Sequence, residues 1–227
     1  GRLRLAARTM KRTRIKICGL TRETDVLHAV QAGADAIGFV LYANSPRAVT
    51  PQRACELARL LPPFVTPVLL FVNASATEIA AGLQAVPNAL LQFHGDETPD
   101  QCRSAGRPYI RAARVPVGEA GRGFDLLEYA QDYSDAQAVL LDAHVQGYGG
   151  GGVSFDWTAF DWSHPRLNAG SRLVLSGGLT PANVAEGIRL VRPWAVDVSS
   201  GVETAKGIKS AELIYRFCAT VCEADLG

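Results

Sequence analysis

Short apolar segments rich in β-branched residues alternate with longer segments of helical periodicity along this chain of 227 residues. Strands are predicted at 14–18, 34–40, 67–72, 89–93, 109–114, 138–142, 172–176 and 195–198. Helices are predicted at 22–32, 51–61, 76–85, 99–105, 124–131, near Trp157, 181–190 and 208–222. Strands that alternate with helices pair in parallel through right-handed crossovers, and eight such units favour closure. The alternation therefore predicts an α/β fold that is a single (β/α)8 TIM barrel, with an open doubly wound sheet as the alternative.

Composition limits the partners of the chain. A net charge of +1 gives no reason to expect nucleic acid or an anionic membrane as a partner. An apolar run near 18 residues, as a membrane span needs, is missing from the sequence. Five cysteines, at 18, 55, 102, 218 and 222, form neither a disulfide framework nor a CxxC zinc pattern. We expect a cytoplasmic protein with a small-molecule partner and without a bound metal, either a monomer or a homodimer.

The first nine residues contain three arginines and no acid, and the only methionine of the chain is Met10. We interpret 1–9 as an upstream extension, with a transit peptide as the alternative. Residues 10–227 are then a single catalytic barrel domain.

Polar side chains follow several predicted strands, where TIM barrels hold their active sites. They are Cys18, Arg47, Gln92, His94, Asp142 and Asp197. Because side chains alternate along a strand, Lys16 and Cys18 should face the barrel interior while Ile15 and Ile17 face the helices. By the same parity, Asp142 and Asp197 face the interior. These residues are therefore expected to meet at one face of the barrel.

Two glycine-rich loops predict an anion site. Ser176-Gly177-Gly178-Leu179-Thr180-Pro181 follows the seventh strand, and Val198-Ser199-Ser200-Gly201-Val202-Glu203 follows the eighth. Glycine lets backbone amides approach a ligand, and Thr180 with Pro181 is typical of a helix start. TIM barrels commonly bind phosphate in these two loops. We predict a phosphate site at Gly177, Gly178, Ser199, Ser200 and Gly201; glycines that serve only tight turns are the alternative.

A third glycine cluster follows Asp142, and four consecutive glycines end it: Gly149, Gly150, Gly151 and Gly152. Such a segment is too flexible to be scaffold, and its length suits a lid that closes over substrate. A disordered linker is the alternative.

Several motifs resemble one family, the phosphoribosylanthranilate isomerases. They are Lys16-Ile17-Cys18-Gly19-Leu20-Thr21, Ser45-Pro46-Arg47, Leu91-Gln92-Phe93-His94-Gly95, Leu140-Leu141-Asp142 with the glycine loop and Phe155-Asp156-Trp157, Ser176-Gly177-Gly178-Leu179 with Asn183-Val184, and Asp197-Val198-Ser199-Ser200-Gly201-Val202-Glu203 with Gly207 and Lys209. The chain departs from the pattern at Ser210, where the family usually has an acid, and at Gly151, where it often has threonine. Neither departure replaces a catalytic group of the family.

The resemblance implies an Amadori rearrangement in tryptophan biosynthesis. N-(5-phosphoribosyl)anthranilate would become 1-(2-carboxyphenylamino)-1-deoxyribulose 5-phosphate. By resemblance, Asp142 is the acid that protonates the ribose ring oxygen and Cys18 is the base that removes the C2 proton. Proton transfer accomplishes the whole reaction, so no metal or organic cofactor is expected.

The remaining candidates are substrate-binding residues. Arg47 is a candidate for the anthranilate carboxylate, because a guanidinium binds planar anions in a fixed fork. Asp197 is a candidate for holding a ribose hydroxyl or for orienting the site. Gln92 and His94 are weaker candidates, since a histidine at a strand end is more often only hydrogen-bonded.

The proposed chemistry makes two electrostatic demands. A free thiol is only about 3% thiolate at pH 7, so Cys18 needs a nearby cation or a helix N-terminus. An exposed aspartate is ionised at neutral pH, so Asp142 needs desolvation or a neighbouring carboxylate to act as an acid.

Other functions make different demands on the residues. An indole-glycerol-phosphate synthase would place lysine and glutamate in catalytic roles, and the related histidine-pathway isomerase usually uses two aspartates. A metal-dependent epimerase needs a set of histidine and acid ligands at strand ends, where only His94 qualifies. A non-catalytic phosphosugar-binding barrel would need neither Cys18 nor Asp142.

Overall fold

Eight parallel strands close into a barrel in the structure, a computed structural model that describes residues 11–144 and 153–227. The strands are β1 (Arg14–Cys18), β2 (Ala36–Val40), β3 (Thr66–Phe71), β4 (Leu90–Phe93), β5 (Tyr109–Pro116), β6 (Ala138–His144), β7 (Leu173–Leu175) and β8 (Ala195–Val198). The helices are α1 (Glu23–Ala32), α2 (Pro51–Ala58), α3 (Ala76–Ala85), α4 (Pro99–Ser104), α5 (Leu126–Asp132), α6 (Pro165–Gly170), α7 (Val184–Val191) and α8 (Ala211–Leu226). The TIM-barrel prediction is confirmed, and the open sheet is wrong because β1 pairs with β8.

Two of our predictions fall outside the described residues. They are the extension at 1–9 and the glycine lid at Gly149–Gly152.

Alternation along the strands separates two sets of buried side chains, as predicted. Ile15 and Ile17 belong to the core between the barrel and its helices. Cys18 packs inside the barrel with Val40, Leu70 and Val72. A second interior layer consists of Ile110, Ala112, Ala138, Leu140, Val174 and Ala195. Cys18 and the other polar side chains that face the barrel interior therefore lie above a layer of apolar side chains.

Three helical predictions differ from the structure. Thr180 and Pro181 do not begin α7, since the Asn183 side chain accepts from the Thr180 amide at 2.8 Å and holds 181–183 as a turn. The helix α8 begins at Ala211 because the preceding residues pair as a hairpin, β9 (Glu203–Ala205) with β10 (Ile208–Lys209). Near Trp157 there is only a 3-10 turn at Trp157–Ala159, and α6 was not predicted.

A buried ion pair fixes the loop after β4. Arg111, on the helix-facing side of β5, donates to the carbonyls of Phe93 at 2.8 Å and Gly95 at 2.9 Å, and lies 3.2 Å from the Glu97 carboxylate. Glu97 in turn accepts from the amides of Asn73 at 2.9 Å and Gly95 at 2.8 Å. This network satisfies the backbone of a loop that would otherwise be free to move. The network therefore sets the position of His94, which lies between Phe93 and Gly95.

The first and last described elements meet at the end of the barrel where the strands begin. The Asp225 carboxylate in α8 accepts from the amide and the hydroxyl of Thr13, each at 2.6 Å. Within the described residues, every helix is too short or too polar to cross a membrane.

Candidate active site

A pocket with about 750 Å³ of empty space, part of it open to solvent, lies at the carboxyl ends of the strands. The structure brings all the predicted catalytic, substrate-binding and phosphate-binding residues to its lining: Cys18, Arg47, Gln92, His94, Asp142, Asp197, Gly177, Gly178, Ser199, Ser200 and Gly201. These residues come from loops and strand ends that are far apart in sequence. The barrel topology alone brings them together.

A chain of three buried polar side chains forms one wall of the pocket. The Nε2 atom of His94 lies 2.9 Å from Oδ2 of Asp142, and the Nδ1 atom of His94 lies 3.0 Å from Nε2 of Gln92. The Gln92 Oε1 atom is buried without a hydrogen-bond partner among the described residues. His94 is therefore held by the predicted acid and by Gln92, and Gln92 retains one acceptor for a ligand.

Cys18 forms the opposite wall, at the end of β1. A Cβ atom at Gly38, on the neighbouring strand β2, would lie 2.5 Å from the Cys18 sulfur. The thiol is thus seated against bare backbone, and a side chain at that position would displace it. Burial raises the pKa of the Cys18 thiol, Lys16 opposes this shift, Asp197 adds to it and Lys209 opposes it.

An ion pair lies beneath the thiol. The ammonium of Lys16 is 2.8 Å from Oδ1 of Asp197, and the Ser176 hydroxyl donates to Oδ2 of Asp197 at 2.9 Å. Both carboxylate oxygens of Asp197 are therefore engaged by protein groups. Our sequence analysis placed Lys16 on the inner face but did not identify it as a site residue; the strand parity was the signal that could have found it.

A second ion cluster joins the loops after β2 and β8. The Arg47 guanidinium donates from Nε at 2.9 Å and from Nη2 at 2.6 Å to the Glu203 carboxylate. The Lys209 ammonium lies 3.0 Å from the same carboxylate and 3.0 Å from the Ser199 carbonyl. Arg47 is therefore held at two points by Glu203. Sequence reasoning missed Glu203 and Lys209, which it read only as parts of motifs.

The two glycine loops contact each other and the neighbouring strands closely. Gly177 and Gly178 have φ angles of 81° and 65°, a left-handed conformation that L side chains rarely adopt. A Cβ atom at Gly177 would lie 2.8 Å from Oδ1 of Asp142, and one at Gly201 would collide with the Leu179 carbonyl. Glycine is therefore required here by contact as well as by backbone conformation.

Substitution of Gly178 should weaken binding of a phosphorylated substrate. A Cβ atom there would lie 2.8 Å from the Ser154 hydroxyl oxygen and would clash with the backbone of Val153. We expect Gly178→Ala to raise KM about tenfold, equivalent to about 1.4 kcal/mol of binding free energy. Steady-state kinetics of the purified variant would measure the change.

Gly106 offers a matched control for this substitution. It has nearly the same φ angle, 64°, but a Cβ atom there would meet nothing within 4 Å. Gly106→Ala therefore introduces the same backbone strain, about 1 kcal/mol of folding stability, without crowding the pocket. An equal rise of KM in both variants would contradict the assignment of Gly178 to the phosphate site.

Comparisons with known proteins point to one family. A family model described as N-(5'phosphoribosyl)anthranilate (PRA) isomerase matches residues 15–220. A curated relative from Methylibium petroleiphilum, named N-(5'-phosphoribosyl)anthranilate isomerase, is 63% identical over 214 residues, which cover 94% of this chain and 96% of the relative.

Solved structures agree with the sequence comparisons. The phosphoribosyl anthranilate isomerase of Thermotoga maritima is 39% identical, with a TM-score of 0.81 over 93% of this chain and 100% of its own. A phosphoribosyl anthranilate isomerase solved with reduced 1-(o-carboxyphenylamino)-1-deoxyribulose 5-phosphate is 37% identical, with a TM-score of 0.78 over 93% of this chain and 100% of its own. Both the sequence and the fold of this chain are thus similar to those of one group of isomerases.

Proposed function

We propose the following mechanism for the chain, which belongs to the N-(5'-phosphoribosyl)anthranilate isomerase family and is an isomerase of tryptophan biosynthesis. The reaction converts an aminoaldose phosphate into an aminoketose phosphate, and Cys18 and Asp142 exchange protons with the substrate. One observation carries the proposal: the two side chains line the same pocket as the paired glycine loops. A phosphate in those loops would leave the sugar between the thiol and the carboxyl group.

In the first step, Asp142 acts as a general acid. It protonates the ribose ring oxygen, the bond between that oxygen and C1 breaks, and the anilino nitrogen lone pair forms an imine with C1. The position of Asp142 supports this role, because its carboxyl group lines the pocket and can meet the ring oxygen of a bound sugar directly. His94 holds the carboxyl group in place, since its Nε2 atom lies 2.9 Å from Oδ2 of Asp142.

In the second step, Cys18 acts as a general base. The thiolate removes the C2 proton, and the electron pair of that C–H bond moves toward the imine to give an enolamine. The enolamine tautomerises to the ketone at C2, with a proton delivered to C1. Each transfer needs only an acid or a base, so the mechanism requires no metal or organic cofactor.

Several residues then have binding roles in the proposal. The loops containing Gly177, Gly178, Ser199, Ser200 and Gly201 bind the phosphate. Arg47 binds the anthranilate carboxylate through its guanidinium, which Glu203 holds in place. Gln92 accepts a hydrogen bond from a substrate hydroxyl at its Oε1 atom, which has no partner among the described residues. Asp197 orients the site instead of holding a ribose hydroxyl, because both of its oxygens are engaged.

We propose a small-molecule enzyme of the cytoplasm, without nucleic acid or membrane as a partner, that works as a monomer or a homodimer. The near-neutral charge of the chain supports the exclusion of nucleic acid and of an anionic membrane, because both attract a basic surface.

The decisive experiment is an assay with freshly prepared phosphoribosylanthranilate, a chelator and no added metal. We expect turnover to the aminoketose phosphate that the chelator does not reduce. A protein that binds a product analogue but leaves the substrate unchanged would instead be a phosphosugar-binding barrel. Turnover only after metal is added would exclude a mechanism of proton transfer alone.

A further inference from the structure

The barrel interior contains an ion pair whose presence needs an explanation. Lys16 and Asp197 are 4% and 5% exposed, and their charged atoms are 2.8 Å apart. Removing two charges from water costs several kcal/mol per ion, and apolar residues of similar volume often stabilise a protein more. Folding alone therefore gives little reason for a lysine at this position of β1.

Lys16 lies two residues before Cys18 on the same strand, and both side chains face the interior. Burial is the largest single effect on Lys16 and opposes its charged form, but the charges of Asp197 and Cys18, with their hydrogen bonds to the ammonium, together outweigh it. The pKa of Lys16 is raised as a result, so the group is an ammonium ion at neutral pH. A permanent positive charge thus lies beside the thiol.

We propose that Lys16 is a positioning residue for the reaction, whose buried ammonium, fixed by Asp197, is the counter-ion of the Cys18 thiolate. The inference rests on the proposed role of Cys18 as the base. It also identifies the cation that the sequence analysis required near the thiol, which opposes the burial that raises the pKa of Cys18 without overcoming it.

The other charged groups around Cys18 act less directly. Arg47 and Lys209 also interact with the thiolate charge, but both are neutralised in part by one carboxylate, that of Glu203. The carboxylate of Asp197 opposes the effect of Lys16 on the thiol, and it also accepts a hydrogen bond from the Ser176 hydroxyl. Lys16 is the strongest of the stabilising cations at the thiol.

The two members of the ion pair therefore have opposite effects on Cys18, and this gives the test. Lys16→Gln removes the cation but keeps an amide that can donate to Asp197, and we expect the midpoint of Cys18 ionisation to rise by about one pH unit, a tenfold loss of thiolate. Asp197→Asn removes the opposing anion, and we expect the midpoint to fall. Lys16→Arg keeps the charge and should leave the midpoint near its original value.

The midpoint is measured from the ultraviolet absorbance of the thiolate in the folded protein, without substrate. The exposed Cys222 and the half-buried Cys55 are replaced by serine beforehand. Burial raises the pKa of Cys102 to about 11 and that of Cys218 to about 12, so the same titration of a Cys18→Ser variant is subtracted to isolate the absorbance of Cys18. Circular dichroism at each pH confirms that the barrel is intact.

Opposite shifts in Lys16→Gln and Asp197→Asn would support the proposal, since both substitutions break the same ion pair and structural damage would move the midpoint in one direction. An unchanged midpoint in Lys16→Gln, or an equal rise in both variants, would overturn it. If Lys16→Gln does not fold, Asp197→Asn and Lys16→Arg still test the sign: a rise in Asp197→Asn refutes the counter-ion role. The titration is independent of turnover, so failure of Cys18 as the base would be detected separately in the activity of Cys18→Ala.

Discussion

Replacement of Cys18 by alanine is expected to lower kcat by about 10²–10⁴-fold, the usual contribution of a general base. The methyl group leaves the pocket wall in place but cannot remove the C2 proton of the imine. Binding of a reduced product analogue should change by less than about threefold, because the thiol acts on the transition state and not on the phosphate or the anthranilate ring. Stopped-flow or steady-state kinetics and calorimetric titration measure the two quantities.

Cys55 provides a control for this substitution. It is a half-buried thiol in α2, and Cys55→Ala should retain almost normal turnover. Near-normal kcat in Cys18→Ala would exclude the thiol as the base.

The pH dependence of the unmodified enzyme gives a related result. The active base is the thiolate, whose fraction grows as pH rises, so kcat should increase with pH along the acidic limb. Burial raises the pKa of Cys18, and this limb should therefore extend above the midpoint of a free thiol.

Asp142→Asn should cause a loss of similar size, about 10²–10⁴ in kcat, for a different reason. An amide has the shape of the carboxyl group and can hydrogen-bond to His94, but it has no proton of suitable acidity for the ribose ring oxygen. The imine would then form only by uncatalysed ring opening. The variant should keep its affinity for the product analogue, which has an open chain and needs no acid.

Asp132, exposed at the end of α5, offers the matched control. Asp132→Asn makes the same chemical change on the surface and should leave kcat and the melting temperature almost unaltered. If Asp142→Asn turned over substrate at the normal rate, the acid would have to be another group of the pocket.

The features of the fold that follow from local periodicity were accessible from sequence. A period of two sets both the strands and the face on which each side chain lies, so the sequence alone places Cys18 and Asp142 in the barrel interior. The glycines after the seventh and eighth strands also predict their loops from local sequence, because the conformational freedom of glycine is a property of the residue itself.

Features that depend on distant partners were not accessible. Lys16 and Asp197 are 181 residues apart, and their ion pair exists only once β1 lies beside β8. Arg111 sits on the outer face of β5, where parity predicts an apolar residue, and its burial makes sense only with the loop carbonyls that it binds. The predicted start of α7 at Pro181 was wrong. The Asn183 side chain accepts a hydrogen bond from the Thr180 amide, and this contact outweighs the preference of Thr180 and Pro181 for a helix start.

The contact between Thr13 and Asp225 joins the ends of the described barrel on the side opposite the pocket. Helices run antiparallel to the strands in this fold, so α8 finishes where β1 begins. A fusion partner or an affinity tag attached beyond either residue would therefore lie at the base of the barrel, and substrate would reach the catalytic face from the opposite direction.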